Sequence, residues 1–261
     1  MPYAGGKQNL AHRIVALMPP HLHYVEPFAG ALSVLLAKAP SHMETANDAD
    51  REIMTFWRVL RDDPEGLERM CALTPHSRVE YMDSRRPGQG GTDLDVAWRV
   101  WVRLTQGRGG RSNGTSGWRA VHGGNSTSLA KYLEGYTSRI APVADRLKNV
   151  SLECGDALQI IAHYDRPETL FYIDPPYLDS TRFAGMYAVE MGTMAQHSDL
   201  LNLLAGCRGK VILSGYRSQL YDKMLSGWTR IDMDAYCMTG EKRTESVWLN
   251  YTPPMVEEAL L

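Results

Sequence analysis

The chain has 261 residues, 44% of them hydrophobic and 22% charged, which suits one large globular domain or one domain carrying a smaller insertion. Its four cysteines (Cys71, Cys154, Cys207 and Cys237) lie far apart without a CxxC pair, which argues against a zinc site or a disulfide framework and for a reducing, cytoplasmic setting. No apolar run approaches the ~20 residues of a membrane span, no basic start leads into an apolar run, and the net charge of −2 carries no chain-wide nucleic-acid signal.

In chain order, Leu10, Ile14, Leu17 and Met18 recur at helical spacing until Pro19-Pro20. His21 and His23 read as two solvated loop histidines, and no metal is expected. Tyr24-Val25 leads through a short buried strand into the turn Glu26-Pro27-Phe28-Ala29-Gly30, and Leu32 to Leu36 suggests a helix. A second strand ends at Asn47-Asp48, and Ile53, Phe56, Trp57 and Leu60 mark the next helix. The last third resumes the alternation: strands at Ser151 to Cys154, Leu170 to Ile173 and Val211 to Leu213, and helices at Ala157 to Ala162, Leu200 to Leu204 and Tyr221 to Leu225. A terminal antiparallel pair is expected at Ile231 to Tyr236 and Val247 to Tyr251. Alternating strands and helices predict an α/β fold with a mostly parallel sheet covered on both faces.

The middle breaks this rhythm. From about Pro75 to Leu147 the patterns are helical. Leu94, Trp98, Trp101 and Leu104 form one stripe, with Trp98 and Trp101 expected to pack the insertion's own core. Leu129, Leu133, Tyr136, Ile140, Val143 and Leu147 form another, which Pro142 should kink or divide. The expected division is a catalytic domain of residues 1–75 and 148–261 and a mainly helical insertion of residues 76–147.

The strongest chemical signal is Asp174-Pro175-Pro176-Tyr177 directly after a buried strand. Open α/β sheets bind ligands outside the carboxyl ends of their strands. There the Asp174 carboxylate and the Pro175 carbonyl, both acceptors, can hold the two hydrogens of an aromatic amino group. Tyr177 offers a face for a planar base, a contact worth roughly 1–3 kcal/mol. By itself such a tetrapeptide is equally an acid at a strand end before a proline turn. Its company is more telling. Gly30 lets a ligand approach the first turn. Asp48 stands 18 positions later, near the separation at which an acid reaches ribose hydroxyls. Asp156 ends a third strand, and Pro2-Tyr3-Ala4-Gly5-Gly6-Lys7 opens a helix with backbone donors suited to a carboxylate.

In this order the segments Ala4 to Lys7 (AGGK), Glu26 to Gly30 (EPFAG), Asn47-Asp48, Gly155-Asp156 and Asp174 to Tyr177 (DPPY) resemble the Dam-type, alpha-group DNA adenine-N6 methyltransferases. The resemblance spans most of the chain outside the middle. It implies a Rossmann-like class I methyltransferase sheet, S-adenosylmethionine as cofactor, double-stranded DNA as partner and transfer to the N6 amino group of a flipped adenine. It also implies that Tyr3, Ala4, Gly5, Gly6, Lys7 and Glu26 to Gly30 (with Pro27, Phe28 and Ala29) hold the methionine portion, Asp48 the ribose and Asp156 the adenine. Leu32 departs from the pattern: it stands where the family's FxGxG has its second glycine, which bears on how closely a cofactor lies against the helix start.

The middle supplies the DNA signal. Arg99, Arg103, Arg108, Arg111, Arg119 and Lys131 fall between Val96 and Leu133, an interval without Asp or Glu. Arg108, Arg111, Asn113, Trp118 and Arg119 are the expected DNA contacts, arginine suiting guanine and asparagine adenine. Alternatives stay open: cytosine-N4 transfer, an RNA or protein amino group, or a DNA-binding protein of this fold impaired in catalysis. Whether the chain accompanies a restriction endonuclease also stays open.

Overall fold

The computed structural model describes residues 3, 5–86, 90–110, 116–120, 128–178, 191–236 and 242–254. The chain divides into two compact units. One comprises Met1–Gly6, Asp50–Leu152 and Gly185–Ala188, the other Lys7–Ala49, Glu153–Ala184 and Val189–Leu261.

The second unit is built on a sheet. Its elements are α1 (Ala11–Ala16), β1 (His23–Glu26), α2 (Ser33–Ala37), β2 (Met43–Asn47), α9 (Ala157–Tyr164), β4 (Thr169–Ile173), α10 (Met194–Ala205), β5 (Lys210–Gly215), α11 (Gln219–Met224), β6 (Thr229–Tyr236) and β7 (Lys242–Leu249). β3 (Val150–Glu153) runs across the division between the units. The seven strands lie in the order β3-β2-β1-β4-β5-β7-β6. β1 pairs in parallel with β2 and β4, and β4 with β5, whereas β7 is antiparallel to both β5 and β6. All residues of β1 and β4 are buried, as expected of central parallel strands covered on both faces. Val25, Phe171, Ile173, Val211 and Leu213 pack with Leu200, Leu201 and Leu204 of α10, Tyr221 of α11 and Trp248 of β7. This is the Rossmann-like sheet that the alternation of elements predicts, with the antiparallel pair at its end. The strand order reverses between β1 and β4, the topological switch point at which such sheets bind ligands.

The histidine expectation needs correcting. His23 lies in β1, buried, with Nε2 2.9 Å from Thr45 Oγ1. His21 is half-buried between the Pro19 carbonyl and Ser41 Oγ, each 2.8 Å away. A one-residue difference in strand start moves a side chain from loop to sheet.

The first unit is helical: α3 (Arg51–Asp62), α4 (Pro64–Ala72), α5 (Arg78–Asp83), α6 (Asp93–Gln106), α7 (Leu129–Thr137) and α8 (Ile140–Leu147). Asp50 caps α3 by accepting from the Glu52 and Ile53 amides, and the Ile53, Phe56, Trp57, Leu60 stripe is buried, so α3 packs on α6 and α8. Thr92 and Asp95 form a reciprocal capping box that starts α6. Trp101 is fully buried, and half-buried Trp98 donates from Nε1 to Thr74 Oγ1 at 2.7 Å. The last stripe is divided, but ahead of the proline. The break falls at Ser138-Arg139 and Pro142 sits in the first turn of α8, where its missing N–H leaves no bond unmade.

Two arginines counted towards a basic surface are core ties instead. Arg103 is 7% exposed, pairs with Glu52 and donates to the Ser84 carbonyl at 3.1 Å. Arg99 is equally buried and reaches the Gly90 carbonyl. Their place on the buried face of α6 overrides the general preference of arginine for solvent.

Candidate active site

Three strand ends are stitched together by Asn47, which is fully buried at the end of β2. Its Nδ2 donates to the Pro27 carbonyl at 2.9 Å and to the Gly155 carbonyl at 3.1 Å, while its Oδ1 accepts from the Gly155 amide at 2.8 Å. The Ala29 amide donates to the Asn47 carbonyl at 2.7 Å. One amide side chain thereby brings the turn after β1, the end of β2 and the Gly155-Asp156 turn to one place. Asp48 accepts from the Gly30 amide at 2.9 Å. Asp156 is exposed and caps α9 through the Gln159 amide at 3.1 Å.

The turn after β1 contains two left-handed residues, Gly30 (φ 43°) and Leu32 (φ 52°), and Leu32 is the one non-glycine with positive φ among the described residues. Leucine at the position of the family's second glycine therefore adopts a left-handed conformation that glycine reaches freely, at a cost of roughly 1–2 kcal/mol. Its side chain is completely buried, a gain of about 1.5–3 kcal/mol that offsets the strain. Glu26 ends β1 and turns inward: Oε2 accepts from Tyr24 Oη at 2.9 Å and from the Leu35 amide at 3.2 Å. Burial pushes its carboxyl up to about 8, against the Tyr24 hydrogen bond, so Glu26 is protonated near neutral pH. Pro27 and Ala29 are buried, and Phe28 is partly exposed where it packs on the sheet core.

At the end of β4 a polar cluster forms. Lys7 Nζ donates to Asp174 Oδ1 at 2.8 Å and Oδ2 at 2.9 Å, also to Tyr177 Oη, and lies 3.5 Å from Glu245 Oε1. Tyr177 Oη donates to Glu245 Oε1 at 2.5 Å and sits 3.3 Å from Asp174 Oδ1. Burial raises the proton affinity of both carboxyls, opposed in each by the Lys7 ammonium. Asp174 keeps acceptor capacity even so, because each carboxylate oxygen has two lone pairs. The Tyr177 ring is 7% exposed and its centroid is 4.6 Å from that of half-buried Tyr216.

His197 of α10 anchors the proline turn. Its Nε2 lies 3.1 Å from the Pro176 carbonyl and 2.8 Å from the Met191 carbonyl, and its Nδ1 lies 2.8 Å from Tyr221 Oη. Carbonyls only accept, so Nε2 carries the proton and Nδ1, in the neutral ring, accepts from Tyr221. Pro175 is buried two residues after the end of β4.

Of the remaining expected cofactor residues, Tyr3, Gly5 and Gly6 form a turn in the other unit, with the Gly6 amide 2.9 Å from the Tyr3 carbonyl and φ 74° at Gly5. Ala4 lies outside the described residues, as do Arg111 and Asn113. Arg108, Trp118 and Arg119 come together in the helical unit through a bridge between Gly107 and Trp118. Arg108 and Arg119 are exposed. Arg119 lies over the Tyr132 ring and donates to its hydroxyl at 2.6 Å. Trp118 is half-buried, with the His76 ring 4.7 Å and the Arg78 guanidinium 5.0 Å from its own.

Sequence reasoning missed Glu245, Tyr216 and His197. Glu245 sits in the strand Lys242–Leu249 as a charge among Val247, Trp248 and Leu249, and that buried acid was the available signal.

The profile of the D12 class N6 adenine-specific DNA methyltransferases matches residues 3–238. The chain belongs to this family. Family membership brings with it the need for a methyl donor. A curated relative, the type II methyltransferase M1.LlaDCHI of Lactococcus lactis subsp. cremoris, is 27% identical over 67% of this chain, and the match spans 64% of the relative's length. Among solved structures, a methyltransferase from Geobacter sulfurreducens aligns with 95% of this chain and 80% of its own at 12% identity and a TM-score of 0.41. An rRNA methylase from Streptococcus thermophilus aligns over 92% and 94% at 10% identity and a TM-score of 0.36. Among the described residues of this D12-class chain, no helix is long and apolar enough to cross a membrane.

Proposed function

We propose that this D12-class chain transfers a methyl group from S-adenosylmethionine to the N6 amino group of adenine in double-stranded DNA. The observation that carries the reading is Asp174-Pro175-Pro176-Tyr177 at the end of β4, next to the switch point of the sheet, in a chain of this family. The residues at the strand ends fit the cofactor in chemistry. Asp48 and Asp156 are acceptors for ribose hydroxyls and an adenine amino group, and Asn47 fixes their turns beside that of Gly30. Lys7, Glu26 to Gly30 and the Tyr3 to Gly6 turn are the proposed surroundings of the methionine portion. When bound, S-adenosylmethionine supplies an electrophilic methyl on a sulfonium.

Asp174 and the Pro175 carbonyl then orient the target amino group, and Tyr177 shapes the pocket for the ring. A base in a duplex must leave the stack to arrive there, at a cost of a few kcal/mol. Holding the amino nitrogen in line with the methyl turns a bimolecular step into an effectively unimolecular one. The two acceptors would stabilise the positive charge that develops on nitrogen as the S–CH3 bond breaks to leave a neutral thioether, and the amino proton held by Asp174 would then pass to solvent. In this reading residues 1–75 and 148–261 carry catalysis and residues 76–147 recognise DNA, with Arg108, Arg111, Asn113, Trp118 and Arg119 as contacts. A restriction endonuclease partner is proposed from the type II name of the Lactococcus relative.

Expression in methylation-deficient bacteria followed by mapping of modified bases tests the proposal. N6-methyladenine at one sequence context, absent with Asp174→Ala, is the expected result. N4-methylcytosine in its place would overturn the choice of base, and unmodified DNA the activity.

A further inference from the structure

Glu245 lies on β7, beyond the residues matched by the family profile, yet its carboxylate closes the cluster around Asp174. Within this cluster one ammonium, Lys7, faces two carboxylates whose side chains are 18% (Asp174) and 6% (Glu245) exposed. A buried site of that composition cannot keep both acids ionised without a large desolvation penalty, so one cation and one hydroxyl proton must be shared between them. The geometry divides them unequally. Lys7 grips both oxygens of Asp174 and stands farther from Glu245, whereas the Tyr177 hydroxyl is 2.5 Å from Glu245 and 3.3 Å from Asp174.

We infer that Glu245 is a positioning residue of the methyl-transfer centre: by anchoring the Tyr177 hydroxyl and the far side of the Lys7 ammonium, it holds Asp174 oriented as an acceptor. The inference rests on the proposed function and names a residue for it. Glu245 acts through Lys7 and Tyr177. Among the described residues, Glu26 on β1, Tyr172 on β4 and Tyr221 on α11 are also electrostatically coupled to Asp174. Below about pH 8 Glu26 is held protonated and the tyrosines neutral by burial, so Glu245 is the acid that shares Lys7 and Tyr177 with Asp174.

The test is steady-state methylation of DNA from about pH 5 to about pH 9 by wild-type protein, Glu245→Gln and Glu245→Ala, with melting curves of the cofactor-free proteins alongside. Glu245→Gln keeps an acceptor for Tyr177 and loses the charge. Its KM values stay within about 2-fold and the acid limb of kcat, set by Asp174, stays in place, while the inflection that Glu245 ionisation adds above it disappears, because the charge of Asp174 raises the Glu245 carboxyl. Glu245→Ala also loses the acceptor, and kcat falls about 10-fold or more with KM little changed. Without cofactor, Glu245→Gln gains Tm over wild type as pH rises, since burial holds the Glu245 carboxyl above its ordinary value and its ionisation then destabilises the wild-type fold. Wild-type kcat and a wild-type pH profile in both variants, beside an active wild type, would overturn the inference alone. A Glu245→Gln protein that loses KM, kcat and fold together would overturn it in favour of a purely structural role. A wild-type chain without methyl-transfer activity would overturn both this inference and the function on which it rests.

Discussion

The two units use buried polar side chains for different ends. In the sheet unit Asn47, His197, Lys7, Asp174 and Glu245 are held by bonds to backbone turns and to one another at the ends of strands. In the helical unit the buried Arg103 ties α6 to Glu52 of α3 and to the Ser84 carbonyl after α5, while exposed Arg108 and Arg119 keep their charge at the surface. Asn47 and Asp174 meet at one edge because parallel β2 and β4 end there, and His197 of α10, Lys7 ahead of α1 and Glu245 of antiparallel β7 supply their partners or brace the proline turn. Helices scatter polar groups around a cylinder, so burial there turns an arginine into a brace.

Substitutions can break this contrast. The largest expected effect on folding is at Asn47→Ala, which strips three hydrogen bonds and leaves the Pro27 and Gly155 backbone groups unpaired. A loss of about 3 kcal/mol in denaturant unfolding is expected, with at least 10-fold weaker S-adenosylmethionine binding by titration. Unchanged affinity would detach Asn47 from the cofactor turns. Arg103→Ala should lower stability by about 1–2 kcal/mol, leaving a buried carbonyl without its donor. Arg108→Ala and Arg119→Ala should stay within about 0.5 kcal/mol of wild type in stability and instead weaken DNA binding and flatten its salt dependence. The reverse pattern in gel-shift and melting data would erase the distinction between brace and contact.

Leu32→Gly sharpens the picture within the sheet unit. It relieves a left-handed leucine but deletes a fully buried side chain and adds freedom to the unfolded chain, so a net loss of about 1–3 kcal/mol is expected. A gain in stability would show that strain dominates at that turn. At Glu26 the expected effect is a dependence on pH. Its folded carboxyl titrates near 8 and its unfolded one near 4.5. The raised value means that its stabilisation is present below the unfolded value and is lost as pH rises through the folded one. Glu26→Gln, which cannot ionise, should therefore match wild type near pH 5 and exceed it in Tm increasingly towards about pH 8. A constant difference across that range would mean that Glu26 is ionised in the fold.

Much of the sheet was legible because buried parallel strands and their helices alternate in a pattern that chain order preserves. The strand β6, the stripes of α3 and α6 and the position of Asp174 after β4 follow from periodicity, whereas β7 begins at Lys242, five residues before the expected Val247 and inside a polar stretch. What escaped was information that only three dimensions contain. Glu245 is far from Lys7, Asp174 and Tyr177 in sequence and reaches them because β7 inserts antiparallel beside β5. His197 looks like any polar residue on a helix until its ring is seen to serve Pro176, Met191 and Tyr221 at once. Arg99 and Arg103 read as surface charge because local composition does not say which face of α6 is covered. Leu32 read as a departure, whereas its backbone adopts a left-handed conformation that glycine reaches freely. The division at residues 76–147 is proposed from function, whereas the compact helical unit spans Asp50–Leu152.

The most direct test of the central claim is transfer of a labelled methyl group from S-adenosylmethionine to duplex DNA by purified wild-type and Asp174→Ala proteins, followed by nucleoside analysis. The account predicts label in N6-methyladenine with wild type. With Asp174→Ala it predicts a loss of at least about 10³-fold in rate from a protein that still folds and binds the cofactor. Comparable turnover by the two proteins would contradict it.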